Sequence, residues 1–152
     1  MKAPIDAVTW VAAFDGGKAV IWRNEGFDDQ PNLKMVETLE IENPPDREQG
    51  VDRPGRMPDP KLGRSAMSET DFHKQAKERF VERIVDRLNE AATDKAFDRI
   101  LLMAPAAALG DARPHYSDDL KARLVEYPGD YVHEPMERID KRVTEALTAK
   151  AG

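Results

Sequence analysis

The chain has 152 residues, 40% hydrophobic and 34% charged, with a formal net charge of −6 and no cysteine. That size suits a single domain, residues 1–152, with a real core, and the composition is polar but globular. The acidic balance excludes a protein that coats nucleic acid nonspecifically, while leaving room for a local basic patch; the missing thiols exclude disulfides, thiolate metal sites and a cysteine nucleophile.

Met1 to Asp6 lacks the apolar core of a signal peptide, and no apolar stretch approaches the ~18 residues of a membrane helix. A cytoplasmic protein without a membrane span is expected. Val8 to Phe14 is rich in β-branched and aromatic residues and reads as a strand. Asp15-Gly16-Gly17 is a turn signal, and Lys18 to Arg23 reads as the returning strand of a hairpin, with Lys18 outward and Ala19 inward. Asn24 to Asn32, with Gly26, Asp28, Asp29 and Pro31, connects to Leu33–Ile41. There Leu33, Met35, Leu39 and Ile41 alternate in part, which predicts a third strand at a sheet edge.

Asn43 to Glu69 differs in character. It holds Pro44, Pro45, Pro54, Pro58 and Pro60 with Gly50, Gly55 and Gly63, and its few apolar residues have no period. Arg47, Arg53, Arg56, Lys61 and Arg64 stand among four acidic residues between Asp46 and Ser65. Such a segment cannot bury enough surface to offset its ordering entropy. A long mobile loop over 44–69 is predicted, of the kind that is either functional or idle.

A helix follows, with Ser68 and Asp71 able to cap it. Ala76, Phe80, Ile84, Leu88 and Ala91 recur along one face, widened by Val81, Val85 and Ala92. Arg79/Glu82, Arg83/Asp86 and Arg87/Glu90 are spaced to pair on the wet face, and the helix should end near Thr93 or Asp94. Ile100 to Ala104 is an unbroken apolar run of strand length, which predicts burial on both faces in the middle of a sheet. Pro105 fits the first turn of the next helix, and Pro114 should end or kink it. Ser117-Asp118-Asp119 can start a short turn through Arg123. Leu124 to Tyr127 reads as a short strand stopped by Pro128-Gly129, with Tyr131 and Val132 as a possible extension. Pro135 opens a last helix with the stripe Met136, Ile139, Val143, Ala146 and Leu147.

The order β-β-β-α-β-α-β-α predicts an α/β protein with a five-stranded mixed sheet of ribonuclease H-like arrangement and helices packed on it. The right-handed crossover rule places Ile100–Ala104 beside the first strand. A nuclease of that arrangement needs carboxylates converging on the central strands to hold two metals. Val8 to Phe14 and Ile100 to Ala104 carry none, and His73, His115 and His133 lack metal-ligand spacing. Neither a metal nor another cofactor is therefore expected. Ser65, Ser68 and Ser117 lack a nucleophile elbow. Trp10 and Trp22 are better explained as core or sheet-face packing than as a platform for bases. His133, four residues past Gly129, is with Asp130 the candidate for a polar site, against the plainer reading of a local cap or hydrogen bond.

Several segments together resemble the bacterial "protein required for attachment to host cells" family. Thr9 to Ala19 resembles its opening strand-turn-strand. Lys77-Glu78-Arg79-Phe80, Leu88-Asn89, Phe97 to Pro105 and Leu109-Gly110 resemble its middle. Asp130-Tyr131-Val132-His133 resembles its Asp-Leu-Thr-His element. The resemblance implies a domain similar to the middle domain of archaeo-eukaryotic class-1 release factors, in which a Gly-Gly-Gln loop between the third strand and the first helix enters the peptidyl-transferase centre. Gly63-Arg64-Ser65-Ala66 lies in the corresponding loop here, without the glutamine. The expectation is thus a non-catalytic binding module for tRNA or the ribosome, engaging RNA through Arg47, Arg53, Arg56, Lys61, Gly63, Arg64 and Ser65. The alternatives are an indirect role in the cell envelope or host attachment, and, disfavoured by the missing glutamine, a peptidyl-tRNA hydrolase.

Overall fold

A computed structural model of the chain describes residues 7–41 and 69–149. Strands β1 (Thr9–Phe14), β2 (Lys18–Asn24) and β3 (Leu33–Glu40) come first, then helix α1 (Glu69–Thr93) and strand β4 (Arg99–Ala104). Helix α2 (Ala106–Ala112), a 3-10 turn (Arg113–His115), helix α3 (Asp118–Lys121), strand β5 (Leu124–Pro128) and helix α4 (Met136–Ala149) complete the order. The predicted loop over 44–69 falls almost wholly outside the described residues; only Glu69 is described, as the first residue of α1.

The five strands form one mixed sheet in the order β3-β2-β1-β4-β5. β1 pairs antiparallel with β2 and parallel with β4, β5 runs parallel to β4, and β3 runs antiparallel to β2. β4 therefore sits beside β1, as the crossover argument requires, and is an interior strand; the geometric centre is β1. Alternate residues enter two cores. Trp10, Ala12, Phe14, Ile100, Leu102 and Ala104 pack under α1 and α2, while Val11, Ala13, Leu101 and Met103 pack under α4. Both strands are buried on both sides, which is why each reads as a continuous apolar run.

The sheet departs from the sequence reading in three places. β2 does not alternate between core and solvent: Ala19 and Ile21 enter the α1-side core and Val20 and Trp22 the α4-side core. A helix on each face removes the solvated side that alternation assumes. β3 is indeed an edge strand, but its apolar residues do not share one face. The register shifts between Ile21/Trp22, pairing Trp22 with Met35 and Ile21 with Glu37, so that Val36 is the extra residue of a bulge. The bulge reverses the pleat. Leu33 packs on the α4 side, Leu39 and Ile41 on the α1 side, and Met35 remains 64% exposed. Finally, Tyr131 and Val132 do not extend β5. Gly129 has φ +146, and the chain turns so that any Cβ there would lie 2.4 Å from the Tyr131 ring; Val132 drops into the α4-side core instead.

The helices follow their stripes. Phe80, Val81, Ile84, Val85, Leu88, Ala91 and Ala92 of α1 are all buried. On its outer face Arg87 reaches Glu37 of β3 at 2.7 Å and Glu90 at 3.9 Å, so the tighter pair is made across elements rather than along the helix. Arg83 does not need Asp86 either: its guanidinium lies over the Phe80 ring, 5.3 Å from the centroid. Pro105 takes the N-cap position of α2, and Ser117 caps α3 by accepting from the Leu120 N–H. Beyond α1, the Lys95 N–H reaches the Ala92 carbonyl and the Ala96 N–H the Ala91 carbonyl, with Lys95 at φ 59. That double closure normally places glycine where Lys95 stands.

On β5, Glu126 accepts a fork of hydrogen bonds from Arg113 (2.7 and 3.1 Å) and one from the Tyr116 hydroxyl (2.7 Å). The Arg113 bonds hold the Glu126 carboxyl below the usual carboxylate range, while burial and then the bond to Glu126 push the Tyr116 phenol up.

Two stability predictions follow from these contacts. Lys95→Gly should raise stability by about 0.5–1 kcal/mol in urea unfolding, because it removes the left-handed penalty of a residue with a Cβ. Glu126 is the second test. A carboxyl whose folded pKa is depressed stabilises the fold fully above its unfolded pKa and loses that contribution as the pH falls through the folded value. The stability gap between wild type and Glu126→Gln should therefore be constant near neutrality and shrink below about pH 4.5, the ordinary value.

Candidate functional site

The parallel strands β1 and β4 end at the same edge of the sheet as β5, and β3, antiparallel to β2, ends there too. That edge gathers the polar residues that the sheet faces exclude. Asp15, Gly16, Gly17 and Lys18 of the β1–β2 turn, Glu40 and Ile41 at the end of β3, Lys77 of α1 and His133 of the β5–α4 turn line an open depression of about 550 Å³.

The walls are held by one local turn and by contacts between elements distant in the chain. Asp15 caps its own turn: its Oδ1 accepts from the backbone N–H of Gly17 (2.8 Å) and Lys18 (2.9 Å). An Asp at this position closes a tight turn in the way the Asp-Gly-Gly signal implies. The other oxygen, Oδ2, faces His133 Nε2 at 3.3 Å, joining turns 118 positions apart in the chain (133 minus 15). The end of β3 is tied in by the Ile41 N–H, which donates to the Gly17 carbonyl at 2.9 Å. Lys77 crosses from α1 with its aliphatic stem against Gly16. A Cβ on Gly16 would lie 2.9–3.0 Å from Lys77 Cβ, Cγ and Cδ, closer than packed carbons allow. Glycine at 16 is thus what lets the lysine cross the turn.

The sequence candidates are separated by this arrangement. His133 lies at this edge, against Asp15. Asp130 is exposed and is not its partner; the carboxylate is Asp15, carried there by β1. Arg47, Arg53, Arg56, Lys61, Gly63, Arg64 and Ser65 lie outside the described residues. Asp15, Lys18 and Lys77 were missed because a turn signal and a helical wet face carry no mark of a site. Among the described residues, no group of three histidines or carboxylates is placed to hold a metal ion. A second depression, about 500 Å³ between α1 and the α2 region, holds the Glu82–His115 pair at 3.8 Å and collects none of the predicted residues.

The model of the bacterial archaeo-eukaryotic release factor family 12 matches residues 8–143. The chain belongs to that family. The match runs from the start of β1 into α4 and so takes in both walls of the depression. Among solved structures, this family 12 chain is similar to the archaeal translation termination factor aRF1, at 13% identity and a TM-score of 0.48 over 95% of this chain and 39% of that one. A structure described as an archaeal protein is similar at 12% identity and a TM-score of 0.40, over 95% of this chain and 38% of that one. The chain thus spans about two-fifths of the length of each. Among curated proteins, none matches it.

The Gly16–Lys77 contact gives a direct test of the site's construction. Gly16→Ala should destabilise the protein by about 1 kcal/mol through overpacking. The cost should fall when Lys77→Ala is added, since trimming the stem removes two of the three close carbons. A double-mutant cycle by chemical denaturation measures that coupling.

Proposed function

We propose that this family 12 protein is a translation-associated binding module that engages tRNA or the ribosome through the basic residues between β3 and α1. The observation that carries the reading is its membership of a release factor family over residues 8–143, a span that includes Arg47, Arg53, Arg56, Lys61 and Arg64. Guanidinium groups suit phosphate through their planar fork of donors. The strand order, with three antiparallel strands followed by two parallel ones beyond β1, supports a ribonuclease H-like core for the module.

Binding, rather than hydrolysis, is the activity this sequence favours. Arg64 stands where the release factor loop carries glutamine, and a guanidinium stays protonated at any working pH and cannot serve as a base. It retains its capacity for phosphate. The resemblance to host-attachment proteins supports a second reading, an indirect role in the cell envelope, which requires no RNA at all.

Co-sedimentation with ribosomes across a salt series separates the two. The binding module should sediment at low salt and be released steeply as salt rises, because phosphate contacts release counterions. The combined variant Arg53→Ala, Arg56→Ala and Arg64→Ala should fold normally and lose that association. No association of wild type even at low salt would remove the translational reading and leave the envelope role. Release of peptide from peptidyl-tRNA by the purified protein, abolished by Arg64→Ala, would overturn the non-catalytic assignment.

A further inference from the structure

We infer that the β3 edge is a self-association surface, on which two copies of the chain pair antiparallel over residues 33–38 about a two-fold axis between Met35 and Val36. The pairing joins two five-stranded sheets into one. It does not rest on the RNA-binding reading.

β3 ends the sheet, so the backbone groups it does not spend on β2 face away from the molecule. Two exposed apolar side chains stand next to each other on it, Met35 at 64% and Val36 at 40%. The bulge at Val36 deters a regular strand from docking here. A second copy is different, because it carries the same bulge. The two faces of β3 then select the register, since directly opposed residues share a face. Leu33 packs on the α4-side core and Thr38 pairs with Val20 of that core, so both lie on the α4 face. Lys34 pairs with Arg23, the neighbour of Trp22 in that core, and so lies on the α1 face. Glu37 is on the α1 face too, bound by Arg87 of α1. An axis between Met35 and Val36 sets Leu33 against Thr38 and Lys34 against Glu37, face matched to face. An axis through a residue sets the α4 face of one copy against the α1 face of the other once the strand passes the bulge. Of the axes that fall between residues, this one alone brings Lys34 opposite a carboxylate of β3. By symmetry the contact forms twice, and opposite charges across strands stabilise their pairing.

The backbone agrees with this register. The Glu25 N–H donates to the Asn32 carbonyl and the Ile41 N–H to the Gly17 carbonyl. Antiparallel ladders bond at every second pair. Counting inward from those two bonds, Lys34 and Glu37 turn their backbone groups to β2, while Leu33 and Thr38 turn theirs outward. The Leu33–Thr38 pairs of the two copies are therefore the hydrogen-bonded ones, and the Lys34–Glu37 pairs lie between them with their side chains closest.

Analytical ultracentrifugation of the full chain over a concentration series tests the pairing, and a reversible dimer is expected. Met35→Lys, at an exposed position, should fold as wild type by circular dichroism and weaken the dimer roughly tenfold, because it sets like charges beside the axis. Lys34→Glu, which sets carboxylate against carboxylate twice, should act in the same direction. The chain has no cysteine, so engineered thiols read the register. Mixed Lys34→Cys and Glu37→Cys chains should form a disulfide between them on mild oxidation faster than either variant forms one alone, since a non-hydrogen-bonded pair brings Cα atoms to about 4.5 Å. A chain that stays monomeric throughout the series overturns the inference and leaves the edge to a strand of another protein. A dimer indifferent to Met35→Lys and Lys34→Glu overturns it as well, as does one whose mixed cysteine chains cross-link no faster than each alone.

Discussion

The parallel pairing of β1 with β4 is the constraint on which the rest of the molecule depends. Both strands are apolar on both sides, so the pair is stable only if each face of the sheet is covered. Burying one such side chain contributes about 1.5–3 kcal/mol, and the two strands supply nearly all of their residues to that burial. α1 and α2 cover one face and α4 the other. β2 is drawn into the same regime because it lies next to the centre, whereas β3, one strand further out, leaves Met35 and Val36 partly in solvent. The bulge at Val36 lets this edge strand serve both faces while breaking up a flat row of unpaired backbone groups.

A sheet closed on both faces can present chemistry only at its ends, and the two ends are used differently. At the amino end of β1 and β4, Arg99 is engaged by Asp28 and donates to the Thr9 hydroxyl, while Asp98 accepts from the Val8 N–H. Those charges are consumed in tying the β2–β3 loop to the strands. At the opposite end the Asp15–His133 contact ties two turns together, beside Lys18 and Lys77. Ligand crevices in α/β sheets form outside the carboxyl ends of parallel strands, and the depression lined by Lys18, Lys77 and His133 lies at that end.

The order of elements and most of their bounds were legible in the sequence because they rest on local signals. The apolar run Ile100–Ala104, the four-residue stripe of α1, Ser117 before α3 and Pro135 before α4 each carry their reason within a few residues. The end of α1 was placed correctly although the glycine that usually marks it is replaced by Lys95, because the stripe itself runs out. The misreadings all have one origin. Whether β2 is covered on its second face, whether β3 slips register at Val36, and whether Val132 prolongs a strand or fills a core depend on neighbours distant in the chain, and periodicity does not record them.

For the site the division is sharper. The sequence by itself determined an α/β domain with a buried central pair, a basic and proline-rich segment between the third strand and the first helix, and His133 as a polar candidate, since composition, hydrophobic period and residue type are properties of the chain alone. Only the tertiary structure decided that His133 faces Asp15 rather than its near neighbour Asp130, and that Gly16 is small to let Lys77 pass. Those pairings join residues 118 and 61 positions apart (133 minus 15, and 77 minus 16). They exist because strand pairing and helix packing bring one end of the sheet together in space, and no local signal encodes which side chains will meet there.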